Sequence, residues 1–179
     1  MPAHPTRHPI VTEALQVQIH DLFDCQWLLL AAGDFQSARF NTMTISWGSM
    51  GRIWNKPFVQ VVVRPQRHTR TFMEEFATFT LCAFPPACHG ALELLGKKSG
   101  RDGDKIAEAG LTPVAATTVG APIFAEAELA VECRKIYWQD MDPKGFLDPS
   151  IAKNYPDKDY HRIYFGEVVA VTGTQKYFH

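Results

Sequence analysis

The residues best suited to chemistry lie in "RPQRHTR", where Arg64, Arg67, His68 and Arg70 fall within seven positions. They stand directly before a short helix expected in "TRTFMEEF", starting near Thr71, with Thr71 and Glu74 at capping-box spacing. A helix N-terminus carries unpaired N–H groups and a partial positive charge, so guanidinium groups beside it suit an anion the size of a phosphate. A solvated basic turn is the competing reading. On the preceding strand, "NTMTISW" places a hydroxyl at every second residue from Thr42. Side chains alternate along a strand, so Thr42, Thr44 and Ser46 share one face while Met43, Ile45 and Trp47 share the other. The apolar set is expected in the core. The hydroxyls then meet either solvent or a polar ligand, and the basic turn on the next strand favours the ligand.

Other motifs are excluded by spacing. "GALELLGKKSG" resembles a phosphate-binding loop, but five residues rather than four separate Gly90 from Gly96, and Lys98 stands where Ser or Thr is required. No GxGxxG occurs, so a dinucleotide fingerprint is absent. "WGSMG" lacks the spacing of a hydrolase nucleophile elbow. His161, at the start of the last strand, is an acid–base candidate or a structural histidine. Asp104 and Lys105 in "GRDGDK" are either acid–base groups or a solvated turn.

These residues need strands to hold them. "CQWLLLAA" reads as a buried strand, "ARFNTMTISW" and "KPFVQVVVRP" follow, and "ATFTLCAF" returns before Pro85-Pro86. "CHGALELLG" and "KIAEAG" suit short helices ended by glycine. From Glu126 to Arg134 the pattern alternates, with Ala127, Leu129, Val131 and Cys133 on one face and Glu126, Glu128, Glu132 and Arg134 on the other, which predicts a half-solvated strand. "HRIYFGEVVAVTG" is the last strand, with Gly166 as a bulge or point of close approach. Between them Asp142–Asp159 forms a long Pro- and Asp-rich excursion. Six or seven strands without regular strand–helix alternation predict a mainly β fold, a closed or nearly closed antiparallel barrel with helices at its rims.

Composition sets the outer limits. The 179 residues suit one domain, taken as 16–179 behind an N-terminal arm over 1–15. With 18 basic and 19 acidic residues the net charge is -1, which gives no global field for nucleic acid or an anionic membrane. No stretch reaches the roughly 20 apolar residues of a membrane helix and the N-terminus lacks a signal-peptide core, so a cytoplasmic chain is expected. Cys25, Cys82, Cys88 and Cys133 form no CxxC pair and no metal half-site, so reduced, buried thiols are expected and no metal.

Taken together, "FNTMTISW", "WNKPFVQVVVRPQRHT", "SGRDGDK" followed by "AEAGLT", and "HRIYFGEVV" resemble the flavin reductase-like family, the FMN-binding split barrels that include flavoredoxin. The likeness runs from about Trp27 to Gly173. It implies a six-stranded antiparallel Greek-key split barrel that forms a homodimer, with FMN near the subunit interface and NADH or NADPH as co-substrate. Electrons would pass to a small-molecule or protein acceptor. Carried over by position, the resemblance nominates Asn41, Thr42, Met43, Thr44, Ser46, Arg64, Thr69 and Arg70, with Lys98, Ser99 and Gly100 from the later loop. Trp47 and Met43 would contact flavin through backbone groups alone, since strand parity sends their side chains to the core. His161 would lie near the reacting face and orient nicotinamide. The Asp142–Asp159 stretch departs from the compact pattern and could either cover the flavin face or be a plain surface loop.

Overall fold

The computed structural model describes residues 4–178. In chain order the elements are β1 (His8–Pro9), α1 (Ile19–Asp21), a π-helical turn (Leu22–Gln26), β2 (Leu28–Asp34), β3 (Arg39–Ile45), β4 (Gly48–Ile53) and β5 (Lys56–Val63). Then come α2 (His68–Glu75), β6 (Thr78–Ala83), α3 (His89–Lys97), α4 (Lys105–Glu108), β7 (Pro113–Val114), β8 (Ile123–Phe124), β9 (Leu129–Asp140) and β10 (Arg162–Gly173).

One antiparallel sheet has the order β3-β2-β6-β9-β10-β5-β4, with β1 added on β10, while β7 and β8 pair separately. The two ends of this path, β3 and β4, are consecutive in the chain and joined only by Ser46 and Trp47. The sheet therefore curls until its two edges converge at that corner. Six strands, β2, β3, β5, β6, β9 and β10, fill the enclosed core with residues such as Leu30, Met43, Val61, Leu81, Val131 and Tyr164. The fold is the expected mainly β split barrel, with β1 and β4 extending it.

The unbroken apolar run of β2 follows from burial on both faces. Leu28, Leu30 and Ala32 enter the barrel, whereas Leu29 and Ala31 face a second core under α3, α4 and β8 with Leu92, Leu95 and Phe124. β4 is a strand that the apolar patterning misses, because "GSMGRI" has little apolar alternation. It is held by a two-residue hairpin in which Trp54 and Asn55 both take positive φ, 50° and 60°, the conformation of a type I′ turn.

Several expectations change. The alternating strand is not half-solvated: Glu132 is buried and its carboxylate accepts from the N–H groups of Thr117, Thr118 and Val119 and the Thr117 hydroxyl. The segment before β8 covers that face, and a carboxylate with such a donor set is stable when buried. The described part of the N-terminal arm, residues 4–15, is tied down. β1 pairs with β10, Ile10 is in the core, and the Arg7 guanidinium donates to the carbonyls of Phe124 (2.9 Å) and Ala127 (2.5 Å). Residues 1–3 of that arm lie outside the described residues. Cys25 is exposed, while the other three cysteines are buried free thiols. Gly166 is both features expected of it: the β9–β10 register shifts there, and an added Cβ would lie 2.4 Å from the Phe79 ring. No helix among the described residues is long and apolar enough to cross a membrane.

Candidate functional site

β3 connects two cavities. At its C-terminal end Met43, Thr44, Ser46 and Trp47 line one of about 190 Å³ together with Val62, Arg64 and His161. At its N-terminal end Asn41 lines a second, of about 130 Å³, with Gln66, Arg67, His68, Thr69, Lys98, Ser99, Gly100 and Lys105. A strand rises about 3.3 Å per residue, so Asn41 and Ser46 stand roughly 17 Å apart.

The hydroxyl row does not point uniformly into either cavity. Thr42 is fully buried and donates to the Leu30 carbonyl at 2.7 Å, and the Thr44 hydroxyl donates to the Leu92 carbonyl of α3. α3 packs across this face of β3, so two of the three hydroxyls are spent on backbone acceptors. Met43 and Ile45 enter the barrel core as parity requires. Trp47 does not: it lies past the strand end, 45% exposed, its ring 5.3 Å from that of His161. Ser46 is exposed beside it.

The arginines separate into two groups. α2 begins at His68 with Arg67 as the N-cap, three residues before the expected start, so Thr71 lies inside the helix and caps nothing. Arg70 then sits in the first turn, where its Nε donates to Glu74 at 2.7 Å. This i,i+4 pair engages Arg70, which does not line the smaller cavity although the sequence nominates it for a phosphate there. Arg67 does line it. Among the described residues Arg67 has no carboxylate partner, and burial together with nearby Arg64 pushes its pKa down. Lys105 is only 3% exposed; its Nζ donates to the carbonyls of Leu95 (3.1 Å) and Lys98 (3.0 Å) and meets no carboxylate. Burial and the neighbouring Arg67 lower its pKa to about 8. Lys98 is neutralised by Glu108, exposed Asp104 caps α4 by accepting from the Ala107 N–H at 3.1 Å, and buried Lys105 is not part of a solvated turn.

The rest of the pocket is shaped for close approach. The Asn41 amide donates to the buried Thr69 hydroxyl at 2.9 Å. Gly100 lies against Asn41, where an added Cβ would come within 2.3 Å of the amide oxygen. The Ser99 hydroxyl accepts from the Arg101 N–H. His68 Nδ1 is buried without a partner. Arg67 and Lys105, which the sequence placed in the basic turn and the "GRDGDK" loop, become a single site only through the fold. The spacing of Arg70 and Glu74 was the available sign that Arg70 is otherwise engaged.

At the other end the Asp142–Asp159 excursion is anchored on Arg64. Arg64 donates to Asp159 at 2.5 Å and to the Asn154 carbonyl at 2.8 Å, and its guanidinium lies 5.1 Å from the centre of the Tyr155 ring. Phe146 stacks on Tyr155, whose hydroxyl lies 2.8 Å from His161 Nδ1. Burial, then Arg64, lowers the His161 pKa to about 4, so its imidazole is neutral. The Tyr155 hydroxyl also lies 3.3 Å from Met141 Sδ; when its proton goes to Nδ1 instead, the imidazole proton sits on Nε2, a neutral donor on a ring that lines the cavity.

The family described as flavin reductase like domain matches residues 27–177. Similar solved structures include an FMN-binding domain of a flavin reductases-like enzyme from Shewanella baltica (TM-score 0.70, 16% identity, 97% of this chain and 80% of that one). Flavoredoxin of Desulfovibrio vulgaris (Miyazaki F) aligns with a TM-score of 0.65 at 22% identity, over 90% and 75% of the two chains. An NADH:FAD oxidoreductase of Streptomyces globisporus aligns with a TM-score of 0.65 at 16% identity, over 85% and 77%. Comparison with curated proteins gave no match. With its family signature spanning both cavities and its fold shared by these structures, the chain belongs to the flavin reductase-like family.

Proposed function

We propose that this protein binds FMN along β3 and acts as an oxidoreductase, taking hydride from NADH or NADPH and passing electrons to a small-molecule or protein acceptor. The observation that carries the reading is the pair of cations, Arg67 and Lys105, left without carboxylates at one end of β3 within a flavin reductase-like domain. A phosphate monoester satisfies them, the unpaired His68 Nδ1 fits a polar ligand, and glycine at 100 lets the loop pack directly on Asn41 and His68. Arg67, Lys105, Thr69, Ser99 and Gly100 would hold the phosphate, Asn41 the sugar chain, and the backbone and side chains of Met43–Trp47 the ring. Bound FMN supplies a ring that accepts hydride and releases electrons singly or in pairs.

The chain's own groups supply position. Neutral His161 offers an N–H to an acceptor such as a carboxamide, and the excursion held on Arg64 narrows access for water and substrate. A homodimer is part of the proposal. On the sheet surface Tyr137 meets Trp54 and Phe165 edge to face, and Trp54 and Tyr137 are exposed, an aromatic patch suited to a second copy. Neither nucleic acid nor membrane is a partner in this reading. Flavoredoxin's likeness supports a second reading, an electron carrier without its own nucleotide reductase activity.

One experiment separates these. Purified protein mixed with FMN is expected to retain a flavin spectrum between about 350 and 500 nm through gel filtration. Anaerobic NADH or NADPH is then expected to bleach it. Retention without bleaching by either nucleotide would assign the carrier role, and no retention would overturn both.

A further inference from the structure

Two further cavities, of about 410 Å³ and about 330 Å³, share no residue with those along β3. Both exceed the roughly 300 Å³ at which pockets begin to hold small molecules. They have one wall in common, made by Asp21, Gln26 and Lys176. The chain builds this wall in an unusual way. Gln26 ends the π-helical turn, and Trp27 after it holds φ 61° and ψ 161°, a backbone region essentially reserved for glycine. The Trp27 ring lies 4.2 Å from that of His89, which lines the smaller cavity. Both π-turns and strained residues concentrate at functional sites.

The larger cavity is polar. Gln16 and Gln18 line it with carboxamides, which donate and accept alike. In the shared wall Gln26 donates to the Asp21 carboxylate, while its own Oε1 is buried without a partner among the described residues. Tyr177 lines the same cavity, is only 3% exposed, and its hydroxyl has no partner among the described residues either. Buried polar atoms are nearly always hydrogen-bonded, so two orphans beside one cavity point to a ligand that pairs with them. Lys176 adds an ammonium whose contact with Glu128, at 3.3 Å, leaves further N–H groups to donate. The smaller cavity contrasts with this, because Phe84, Pro85 and Leu92 give it an apolar side. One carboxylate, one ammonium and one apolar slot therefore meet at a single wall.

We propose that the two cavities form one site for a free α-amino acid with an aromatic side chain. Its ammonium meets Asp21 and Gln26 Oε1, its carboxylate meets Lys176 and the Tyr177 hydroxyl, and its ring fills the slot against Phe84 and Leu92. A ligand of single charge leaves one of the two charges in the wall unanswered, whereas a zwitterion answers both. The site stands apart from the flavin reading but is linked to β3 through one helix. The Leu92 carbonyl accepts from the Thr44 hydroxyl, so a ring in the slot bears on α3 where it packs across that strand.

The test is calorimetric titration of the purified protein with L-phenylalanine, L-serine, phenethylamine and phenylpropionate. L-phenylalanine is expected to bind roughly tenfold more tightly than each of the others, which lack the ring, the carboxylate and the ammonium in turn. Two variants assign the charges. Asp21→Asn should bring L-phenylalanine down to the affinity of phenylpropionate and leave phenylpropionate itself unchanged. Lys176→Met should bring it down to that of phenethylamine and leave phenethylamine unchanged. Asp21 is half-buried and Lys176 exposed, so neither change opens the core. The crossed pattern also guards against damage to the fold, since a misfolded variant loses every ligand and the other variant then decides alone. No binding of L-phenylalanine, binding of L-serine at equal strength, or affinities unmoved in both variants would overturn the site. Retention of FMN by the same samples reports on the flavin reading separately.

Discussion

The two ends of β3 use similar residues in opposite ways. At the N-terminal end, Arg67 and Lys105 line one cavity with no carboxylate among the described residues to neutralise them. At the ring end, Arg64 is fully engaged by Asp159, the Asn154 carbonyl and the Tyr155 ring, and His161 is kept neutral. One end is left electrostatically incomplete, which under the proposed function would select a charged ligand, while the other has its cation satisfied by the protein's own excursion, which would leave selection to shape and neutral hydrogen bonds. Counting basic residues in the turn does not reveal this. Their partners do.

The largest effect expected from this contrast is on stability in acid. An unfolded histidine takes its proton near 6.5, but buried His161 does so only at about 4. Between those values the unfolded chain binds more protons, so folding weakens as pH falls, by on the order of 3 kcal/mol once pH 4 is reached. His68 at the other end is shifted the same way by burial, then by Arg101 and Lys105, so the wild-type slope contains both rings. His161→Gln isolates one of them. Urea unfolding midpoints between pH 7 and 4.5 are expected to decline less steeply in that variant. Identical slopes would mean that the ring end is not the proton-excluding site described above.

Next comes the N-terminal end itself. Arg67→Ala is expected to weaken FMN binding by about 1.5 to 3 kcal/mol, the range for a charge-assisted hydrogen bond. Arg70→Ala, which removes a side chain already on Glu74, should change it less than threefold. Titration of flavin fluorescence measures both, and a larger loss at Arg70 would reverse the assignment of the two arginines. Arg64→Ala belongs to neither case, because it leaves Asp159 without its guanidinium and loosens the excursion.

How far these roles were legible in the sequence depends on distance along the chain. β2, β3, β5 and β10 were readable because β-branched runs and period-two patterning are local properties. The basic turn was readable as a location, since "RPQRHTR" runs through the N-cap and first turn of α2. Which arginine is free was not, because Arg67 and Lys105 are 38 positions apart and meet only when the Gly100 turn lies against Asn41. The hydroxyl row misled for the same reason. Threonine on a strand has the same local signature whether it faces a ligand or, like Thr44, the carbonyl of a helix that packs on it. β4 was missed because its hairpin rests on Trp54 and Asn55 at positive φ, and no glycine announces the turn.

A smaller effect sharpens the charge contrast through alkali. Lys105 loses its proton near pH 8 in the free protein, and a bound phosphate favours the charged form. FMN affinity is therefore expected to fall as pH rises above 8, by at most about tenfold per unit, while the phosphate of the ligand, with its second pKa near 6, stays dianionic. Lys105→Met should bind more weakly at pH 7 and lose this alkaline limb. A limb that persists in the variant would place the titrating group elsewhere.

The smallest effect tests whether the ring end is held by the excursion. Tyr155→Phe removes the hydroxyl 2.8 Å from His161 Nδ1 and leaves that nitrogen without its partner, at a cost of about 1 kcal/mol. Stability alone would not separate a positioning role from simple packing, since Phe keeps the stack on Phe146 and the ring under Arg64. The tautomer does. With the tyrosine donating to Nδ1, the His161 proton belongs on Nε2, and nitrogen chemical shifts of the labelled ring are expected to report that single form in the wild type and a mixture in Tyr155→Phe. In the same variant KM for the nucleotide should rise severalfold more than kcat falls, because what is lost is orientation of a bound acceptor. Were both proteins to show the same tautomer and the same KM, Tyr155 would be packing alone, and the completed state of this end would rest on Arg64 and Asp159.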